Sequence, residues 1–239
     1  AIYAKLLKFT EADYVFAPKV DLWDTLIEQM LVQKRALNEV VETREHALAC
    51  AKTVADRYRC NYEHANFLME IACMIFDKIK TLHGLNPSYK LLLEIAAILH
   101  DCGYFINSKH HLNSNVDIVK YTDIYGLTDK TTLITAYISR FAESETPNYR
   151  DAEFASLKGS EKIIALKLAA IFRLANSLDK SQKQKLQSVM VRLDEDKFII
   201  TAKSDSNTRL EHWAFEKCSA FFQEVFGVQP VLTVKSSLI

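Results

Sequence analysis

The sequence predicts a mainly α-helical protein that ends in a small α+β domain. From about residue 21 to residue 181, apolar residues recur at steps of three and four, which is the period of an amphipathic helix. At about Gln187 the pattern changes, and the segment SVMVRLDEDKFIITA has apolar residues at every second position on both sides of a DEDK turn. This alternation predicts a β-hairpin.

Composition excludes several functional classes. The 239 residues are 49% apolar and 25% charged, as in an ordinary globular protein. Thirty basic and thirty acidic side chains cancel, so no overall field attracts nucleic acid or an anionic membrane, and any anion site must be local. The apolar runs are too short to cross a bilayer, and the N-terminus lacks a signal-peptide pattern. We therefore expect a cytoplasmic protein without a membrane or a specific nucleic-acid partner.

Cysteine and glycine usage narrow the possibilities further. The five cysteines are scattered and never occur in CxxC spacing, which indicates reduced thiols in a cytosolic protein. The five glycines are too far apart to form a P-loop or a dinucleotide-binding fingerprint. Nucleotide binding by either route is excluded. A protein without a glycine-rich phosphate loop needs another means of activating a nucleophile for attack on a phosphate ester.

Residues 1–36 predict a strand followed by a helix. Tyr14–Phe16 is the strand candidate, Pro18 ends it, and Asp21 can cap the helix that follows. One strand and one helix cannot bury both of their faces alone. We therefore expect this piece to be the closing element of a larger domain or a strap on the next one.

The predicted all-helical domain spans residues 37–186. One of its helices, HANFLMEIACMIFDKI, places His64 four residues before Leu68, so the imidazole belongs to the buried face. Gly84 and the Asn-Pro pair that follows it end this helix.

The stretch LLLEIAAILHDCGYFI, residues 91–106, is the centre of this domain. It predicts a helix that is apolar on nearly every face and therefore lies in the interior. The stretch nonetheless carries His100 and Asp101 side by side. Burying this pair without partners would cost several kcal/mol, so the chain must supply either hydrogen-bond partners or the remaining ligands of a metal ion.

Two more segments complete the helical domain. A polar loop with Lys109, His110 and His111 leads into a further helix, and a later helix reaches Arg140. The segment GSEKIIALKLAAIFRLANSLDKS then predicts a strong helix that carries Asp179 on its buried stripe. A carboxylate at such a position is as unusual as the two inward histidines.

Residues 187–239 predict a separate small ββαβ domain. After the hairpin, Asn207 or Thr208 caps a helix that ends at Gly227, and VQPVLTV makes a third strand. The residues of this helix that we expect to face inward are Leu210, Trp213, Ala214, Phe221, Phe222 and Val225.

Metal-capable side chains thus lie on otherwise apolar faces of three separate helices. Two imidazoles and two carboxylates, from His64, His100, Asp101 and Asp179, suit a divalent ion such as Mn, Fe, Zn or Mg. Taken singly, each residue has an ordinary alternative: a hydrogen-bonded core histidine, a cap, or an ion-pair partner. The order of all four over well-separated helices favours one shared site.

The same order resembles the HD superfamily of metal-dependent phosphohydrolases, through His64, His100-Asp101-x-Gly103 and Asp179. The segments AAILHDCGYFINSKHH and LAAIFRLANSLDKS also resemble the C-terminal half of the exopolyphosphatase/guanosine pentaphosphate phosphatase (Ppx/GppA) family. The opening, EADYVFAPKVDLWDTLIEQML, resembles the strand and helix that close that family's N-terminal phosphatase domain, and the ββαβ tail resembles its terminal small domain.

The resemblance implies an HD-type helical domain whose four metal positions are those just named, with Asp101 and a metal-bound water as the catalytic candidate. It also implies polyphosphate or a phosphorylated nucleotide as partner, and a homodimer. The candidate phosphate contacts are Lys109, His110, His111, Arg140, Arg173 and Lys180. For the loop Lys109–His111, an ordinary solvated loop is the alternative.

Three functional hypotheses follow. The first is a C-terminal module of a polyphosphate or guanosine pentaphosphate phosphatase that binds the polyanion and supports dimerisation, because the family's glycine-rich catalytic domain is not in this chain. The second is a free-standing metal-dependent phosphohydrolase that uses a metal-activated water. The third is a dimerisation scaffold in which the four residues form only a hydrogen-bonded network.

Overall fold

The computed structural model describes residues 42–143 and 151–236. The chain divides into two compact units, Ala1–Glu42 and Thr43–Ile239. The predicted strand and helix of residues 1–36 lie outside the described residues. The statements below concern the second unit.

Helices build most of this unit, which confirms the mainly α-helical prediction. Helix α1 is described over residues 42–57. The next helices are α2 (Tyr62–Lys78), α3 (Lys80–His83), a 3₁₀ turn (Pro87–Tyr89), α4 (Lys90–Leu99), α5 (Cys102–Ile106) and α6 (His111–Lys120). They are followed by α7 (Asp129–Arg140), α8 (Ala152–Ser156), α9 (Gly159–Ser177) and, between the strands, α10 (Arg209–Phe226).

Side-chain caps explain where several helices begin. The Asn61 side chain accepts from the backbone N–H groups of Glu63 and His64, which starts α2 at the residue before these two. Thr128 and Thr131 form a reciprocal capping box at α7. Gly227 ends α10 in the left-handed conformation, with φ 74°, which glycine adopts without steric cost.

The three strands form one mixed sheet in the order β1–β2–β3. Strands β1 (Gln187–Asp194) and β2 (Lys197–Lys203) are an antiparallel hairpin, and β3 (Gln229–Lys235) pairs parallel to β2 after the crossover through α10. This is the ββαβ tail expected from the sequence.

One face of the sheet packs on helices. Phe198, Ile200 and Ala202 of β2 are fully buried and belong to the same apolar cluster as Phe172 of α9 and Phe222 of α10. The packing agrees with the two-residue period of a half-buried strand. The division into a helical domain (37–186) and a small domain (187–239) stays a prediction.

Four local expectations were wrong. Helix α9 ends at Ser177, so Asp179 lies beyond the helix and not on its buried stripe. The central helix ends at Leu99, and a turn at His100–Asp101 separates it from α5. His111 is the first residue of α6 and not part of the preceding loop. Leu210 and Trp213 are 44% and 50% exposed, because α10 buries its other face against α9 and β3.

No described helix is both long enough and apolar enough to cross a membrane.

Candidate functional site

His64 lies at the start of α2 with its ring in the interior. The residue is 1% exposed, and its Nδ1 lies 2.7 Å from Oδ2 of Asp179. With Nδ1 as the donor to this carboxylate, Nε2 of the neutral ring is left as the nitrogen with a free lone pair. The sequence predicted both burials, and the structure confirms them.

Asp179 follows the end of α9 and is completely buried. Besides His64, its carboxylate accepts from the backbone N–H groups of Lys183 at 3.0 Å and Gln184 at 2.7 Å. The Gln184 side-chain amide donates to Oδ2 at 2.6 Å. Both oxygens are therefore held by donors, and Asp179 orients the His64 ring through the nitrogen that a ligand would not use.

The turn at His100–Asp101 places an imidazole and a carboxylate face to face. His100 Nδ1 lies 2.9 Å from the carbonyl oxygen of Ala97 and donates to it, so Nε2 of the neutral ring is an acceptor. This Nε2 is 3.2 Å from Oδ1 of Asp101, and no hydrogen bond joins the two atoms. Burial lowers the pKa of His100 despite the nearby Asp101 carboxylate, which favours the neutral ring.

Gly103, two residues after Asp101, lies where α5 passes close to α6. A Cβ at residue 103 would lie 2.0 Å from the backbone oxygen of His111 and 2.8 Å from the backbone nitrogen of Asn115. Only glycine allows α5 and α6 to approach this closely. The Asn115 side chain then accepts from the Gly103 N–H, which fixes the turn against α6.

The loop after α9 covers the carboxylates. Gln182 and Gln184 both have positive φ, 53° and 45°, a region that non-glycine residues seldom adopt. The Gln182 amide donates to Oδ2 of Asp101 at 2.7 Å, and the Gln184 amide holds Asp179. Strained backbone that aims one amide at the buried Asp179 and another at the partly exposed Asp101 is typical of a functional site.

We call these four residues, His64, His100, Asp101 and Asp179, the His–Asp cluster. The ligand atoms of His64, His100 and Asp101 all lie within 4.8 Å of one another. The His100 lone pair faces an Asp101 oxygen at 3.2 Å, and the repulsion between two such acceptors is relieved by a metal ion, a proton or a water molecule between them. The donor set therefore fits a divalent ion at three residues, with Asp179 orienting His64.

The predicted phosphate contacts fall into separate places. Lys109 and His110 are exposed. The His111 ring stacks on Tyr104 at 3.8 Å between centroids. Arg140 donates to Asp151 at 2.6 Å. The structure therefore does not bring all six predicted contacts together.

The remaining two predicted contacts, Arg173 and Lys180, line one cavity of about 160 Å³, which we call the α9–α10 cavity. Its other lining residues are Ala142, Glu143, Asn176, Ser177, Trp213, Ala214, Lys217 and Cys218. Lys180 Nζ donates to Glu143 at 2.8 Å.

Arg173 is pre-positioned at this cavity. It is 5% exposed, its Nε donates to the Phe141 carbonyl at 2.7 Å, and its guanidinium lies 4.4 Å from the centroid of the Phe221 ring. Burial lowers the pKa of the Arg173 guanidinium, which nevertheless stays a cation because the ordinary pKa of arginine is so high.

Sequence reasoning missed several site residues. Lys217 Nζ lies 3.8 Å from the centroid of the Trp213 ring, and the four-residue spacing of this pair on α10 is a signal that the sequence carries. Because Trp213 was predicted to face the core, the Lys217–Trp213 pair was not predicted at a site. Gln182 and Gln184 have no such signal, because glutamine in a polar loop is ordinary.

The profile of "Ppx/GppA phosphatase, domain III" matches residues 48–218, more than half of the sequence. The chain belongs to the Ppx/GppA phosphatase family. No curated protein matches it.

The Ppx/GppA match covers both features described above. The domain III range includes the complete His–Asp cluster and every residue that lines the α9–α10 cavity. It ends inside α10, so strand β3 lies beyond the match.

Proposed function

We propose that this chain is the C-terminal module of an exopolyphosphatase/guanosine pentaphosphate phosphatase-like protein and that it binds a polyanionic phosphate substrate. The observation that carries the proposal is the α9–α10 cavity, where Arg173, Lys180 and Lys217 meet. Among the described residues that line this cavity, three side chains are cationic and one, Glu143, is a carboxylate, which is a local excess of positive charge in a chain with no net charge. Such an excess suits the oxygens of a phosphate chain.

The three cations have different parts in this binding. The guanidinium of Arg173 is held in place by the Phe141 carbonyl and the Phe221 ring, so its position at the cavity is fixed before a ligand arrives. Lys180 and Lys217 are flexible point charges that can follow phosphate groups of different spacing. A rigid fork flanked by two adjustable ammonium groups favours a repeating polyanion over one particular small ligand.

Glu143 lines the cavity and pairs with Lys180, the side chain that we expect a phosphate group to bind. Its carboxylate accepts from Lys180 at 2.8 Å and lies 3.7 Å from Nε2 of His111. Burial, together with the negative charge of Glu143, raises the pKa of Tyr104 to about 12. A phosphoryl group that binds Lys180 competes with this carboxylate, so we expect Glu143 to weaken the binding of phosphate.

Lys180 connects the cavity to the His–Asp cluster. It follows Asp179 in the chain, and its positive charge is one of the influences that lower the pKa of His100. A phosphate group bound at Lys180 therefore comes close to the imidazoles of the cluster. This proximity supports a role for both features in handling one substrate.

We further propose that the module dimerises through the apolar end of α5. Tyr104, Phe105 and Ile106 are consecutive and are 43%, 58% and 58% exposed. Removing such a run from water is the usual driving force of a homodimer interface. If Phe105→Glu leaves the sedimentation coefficient of the chain unchanged over a concentration series, this part of the proposal is wrong.

A second candidate function is metal-dependent phosphoester hydrolysis at the His–Asp cluster, favoured by the unpartnered Nε2 of His100. His64, His100 and Asp101 would hold the ion, and Asp179 was also predicted as a ligand. A divalent ion would supply a water of lowered pKa as nucleophile. Oδ2 of Asp101 accepts from Gln182, so Oδ1, which faces His100, would be the oxygen available to the ion.

Binding experiments test the first proposal. Titration with a long-chain polyphosphate should give salt-sensitive binding, because exposed charge–charge attraction is screened by salt. Lys217→Gln should weaken it about tenfold, the size expected for one charge-assisted hydrogen bond. Lys203→Gln, at an exposed lysine of β2, is the matched control and should bind like the wild type. Equal loss in both variants would mean diffuse charge attraction and no defined site.

Metal analysis and phosphate release separate the two functions. Bound Mn, Fe, Zn or Mg at one ion per chain, with phosphate release abolished by Asp101→Asn, would establish hydrolysis by this module. Polyphosphate binding without phosphate release would assign it to substrate binding alone. If neither occurs and a chelator leaves the thermal stability unchanged, the scaffold hypothesis is the one that survives, because a bound ion stabilises the folded state.

A further inference from the structure

Two of the five cysteines meet beside the His–Asp cluster. Cys60 precedes α2 and Cys102 opens α5, 42 positions later, yet their Sγ atoms are 3.1 Å apart. All five cysteines carry free thiols in the structure. Two thiols this close need to move by only about 1 Å to reach the 2.05 Å length of a disulfide bond.

The two thiols differ in their access to solvent. Cys102 is fully buried, whereas Cys60 is partly exposed. Cys60 also lines an open surface pocket together with Asn61, Asp101 and Tyr104. A small oxidant can enter this pocket and reach Cys60, and Cys102 then lies directly behind the sulfur that has reacted.

We propose that Cys60 and Cys102 are an oxidative modification site, at which a peroxide or a low-molecular-weight disulfide converts the two thiols into one disulfide bond. This site does not depend on the proposed function. Cys60 is the residue that the oxidant meets, and Cys102 is the resolving thiol.

The reaction with a peroxide balances as follows. The Cys60 sulfur attacks one oxygen, the O–O bond breaks, and the leaving oxygen departs as water, which leaves a sulfenic acid on Cys60. The Cys102 sulfur then attacks the Cys60 sulfur, the S–S bond forms, and the sulfenic oxygen departs as a second water. The two sulfurs together lose two electrons, which the peroxide gains. With a small disulfide as oxidant, two successive exchanges release two small thiols.

The bond would join the two segments that supply the cluster. Cys60 is next to Asn61, whose side chain caps α2 and accepts from the N–H of His64. Cys102 is next to Asp101. A disulfide therefore ties the start of the His64 helix to the His100–Asp101 turn, and the oxidised chain should resist thermal unfolding better than the reduced one.

The test is oxidation of the full chain with diamide or hydrogen peroxide at a small molar excess. The intact mass should fall by two hydrogen atoms, and peptide mapping without reductant should find Cys60 linked to Cys102. Dithiothreitol should restore the starting mass. The melting temperature should rise on oxidation and return on reduction.

Single cysteine variants provide the controls. Cys60→Ser and Cys102→Ser should each abolish the mass loss, whereas Cys50→Ser and Cys218→Ser should leave it unchanged. Because Cys102 is buried, Cys60→Ser is the decisive variant if Cys102→Ser does not fold. A linked peptide with any other cysteine, no linkage at all, or linkage that persists in Cys60→Ser would overturn the proposal.

Discussion

The His–Asp cluster and the α9–α10 cavity are neighbours with opposite electrostatic character. In the cluster, a buried imidazole lone pair and a carboxylate oxygen face each other at 3.2 Å, so this region is rich in acceptors. In the cavity, the described lining residues include three cations and one carboxylate, so this region is rich in donors. A chain with no net charge can thus hold an acceptor-rich region next to a cationic one by local sorting of charge.

The cluster also contrasts with another buried histidine. His83 is 2% exposed, its Nε2 donates to the Phe76 carbonyl, and its Nδ1 accepts from the Leu85 N–H at 2.8 Å. Both ring nitrogens are satisfied, as expected of a structural histidine. His100 has a partner on Nδ1 only. Burial alone therefore does not distinguish the two histidines, whereas the hydrogen bonding of the second ring nitrogen does.

The largest effect is expected from Asp179, whose carboxylate holds the His64 ring of the cluster. Replacing it by alanine leaves the His64 ring and two backbone N–H groups without their acceptor in the interior. We expect Asp179→Ala to lower the free energy of unfolding by about 3–5 kcal/mol. Denaturation in urea measures this, with Glu216→Ala on the exposed face of α10 as the control. A loss below about 1 kcal/mol would show that the network contributes little to folding.

The second prediction concerns the loop that orients the cluster. Gln182→Met keeps the length of the side chain but removes the amide that holds Asp101. The affinity for Mn²⁺ should fall about tenfold, as for other groups that orient a metal ligand. Isothermal titration measures it, and Gln187→Met, at an exposed position of β1, is the matched control. Unchanged affinity in Gln182→Met would remove the loop from the site.

The third prediction has the opposite sign and concerns the cavity. Glu143→Gln removes the carboxylate that competes for Lys180 but preserves its size. Polyphosphate binding should become a few-fold tighter, which corresponds to about 1 kcal/mol for a partly exposed ion pair. The same titration as for Lys217→Gln measures the change. Weaker binding would mean that Glu143 positions Lys180 for the ligand and does not compete with it.

The smallest effect is on the pH dependence of stability, through His83. Burial lowers its pKa below the ordinary value of 6.5, so the unfolded chain binds the proton more tightly than the folded chain. The stabilisation is complete above pH 6.5 and is lost as the pH falls below it. His83→Gln should make the fall shallower. Urea denaturation between pH 8 and pH 5 checks this, and an unchanged slope would contradict it.

Several elements could be read from the sequence because periodicity records which face of an element is buried. The spacing to Leu68 placed His64 inside, and the alternation of β2 placed Phe198 inside, and both are buried. The same rule failed on α10, where Trp213 follows the helical period but lies half exposed. A period identifies one stripe, whereas the width of the buried stripe depends on what packs against the helix.

The sequence by itself determined the helical architecture, the ββαβ tail, and the burial of two histidines and Asp179 among apolar residues. Only the tertiary structure decided which polar atoms meet. Gln182 reaches Asp101 across 81 positions, Cys60 reaches Cys102 across 42, and Lys217 joins the cavity of Lys180 from another helix. Such pairs depend on turn geometry and helix packing, and residue periodicity carries no record of either.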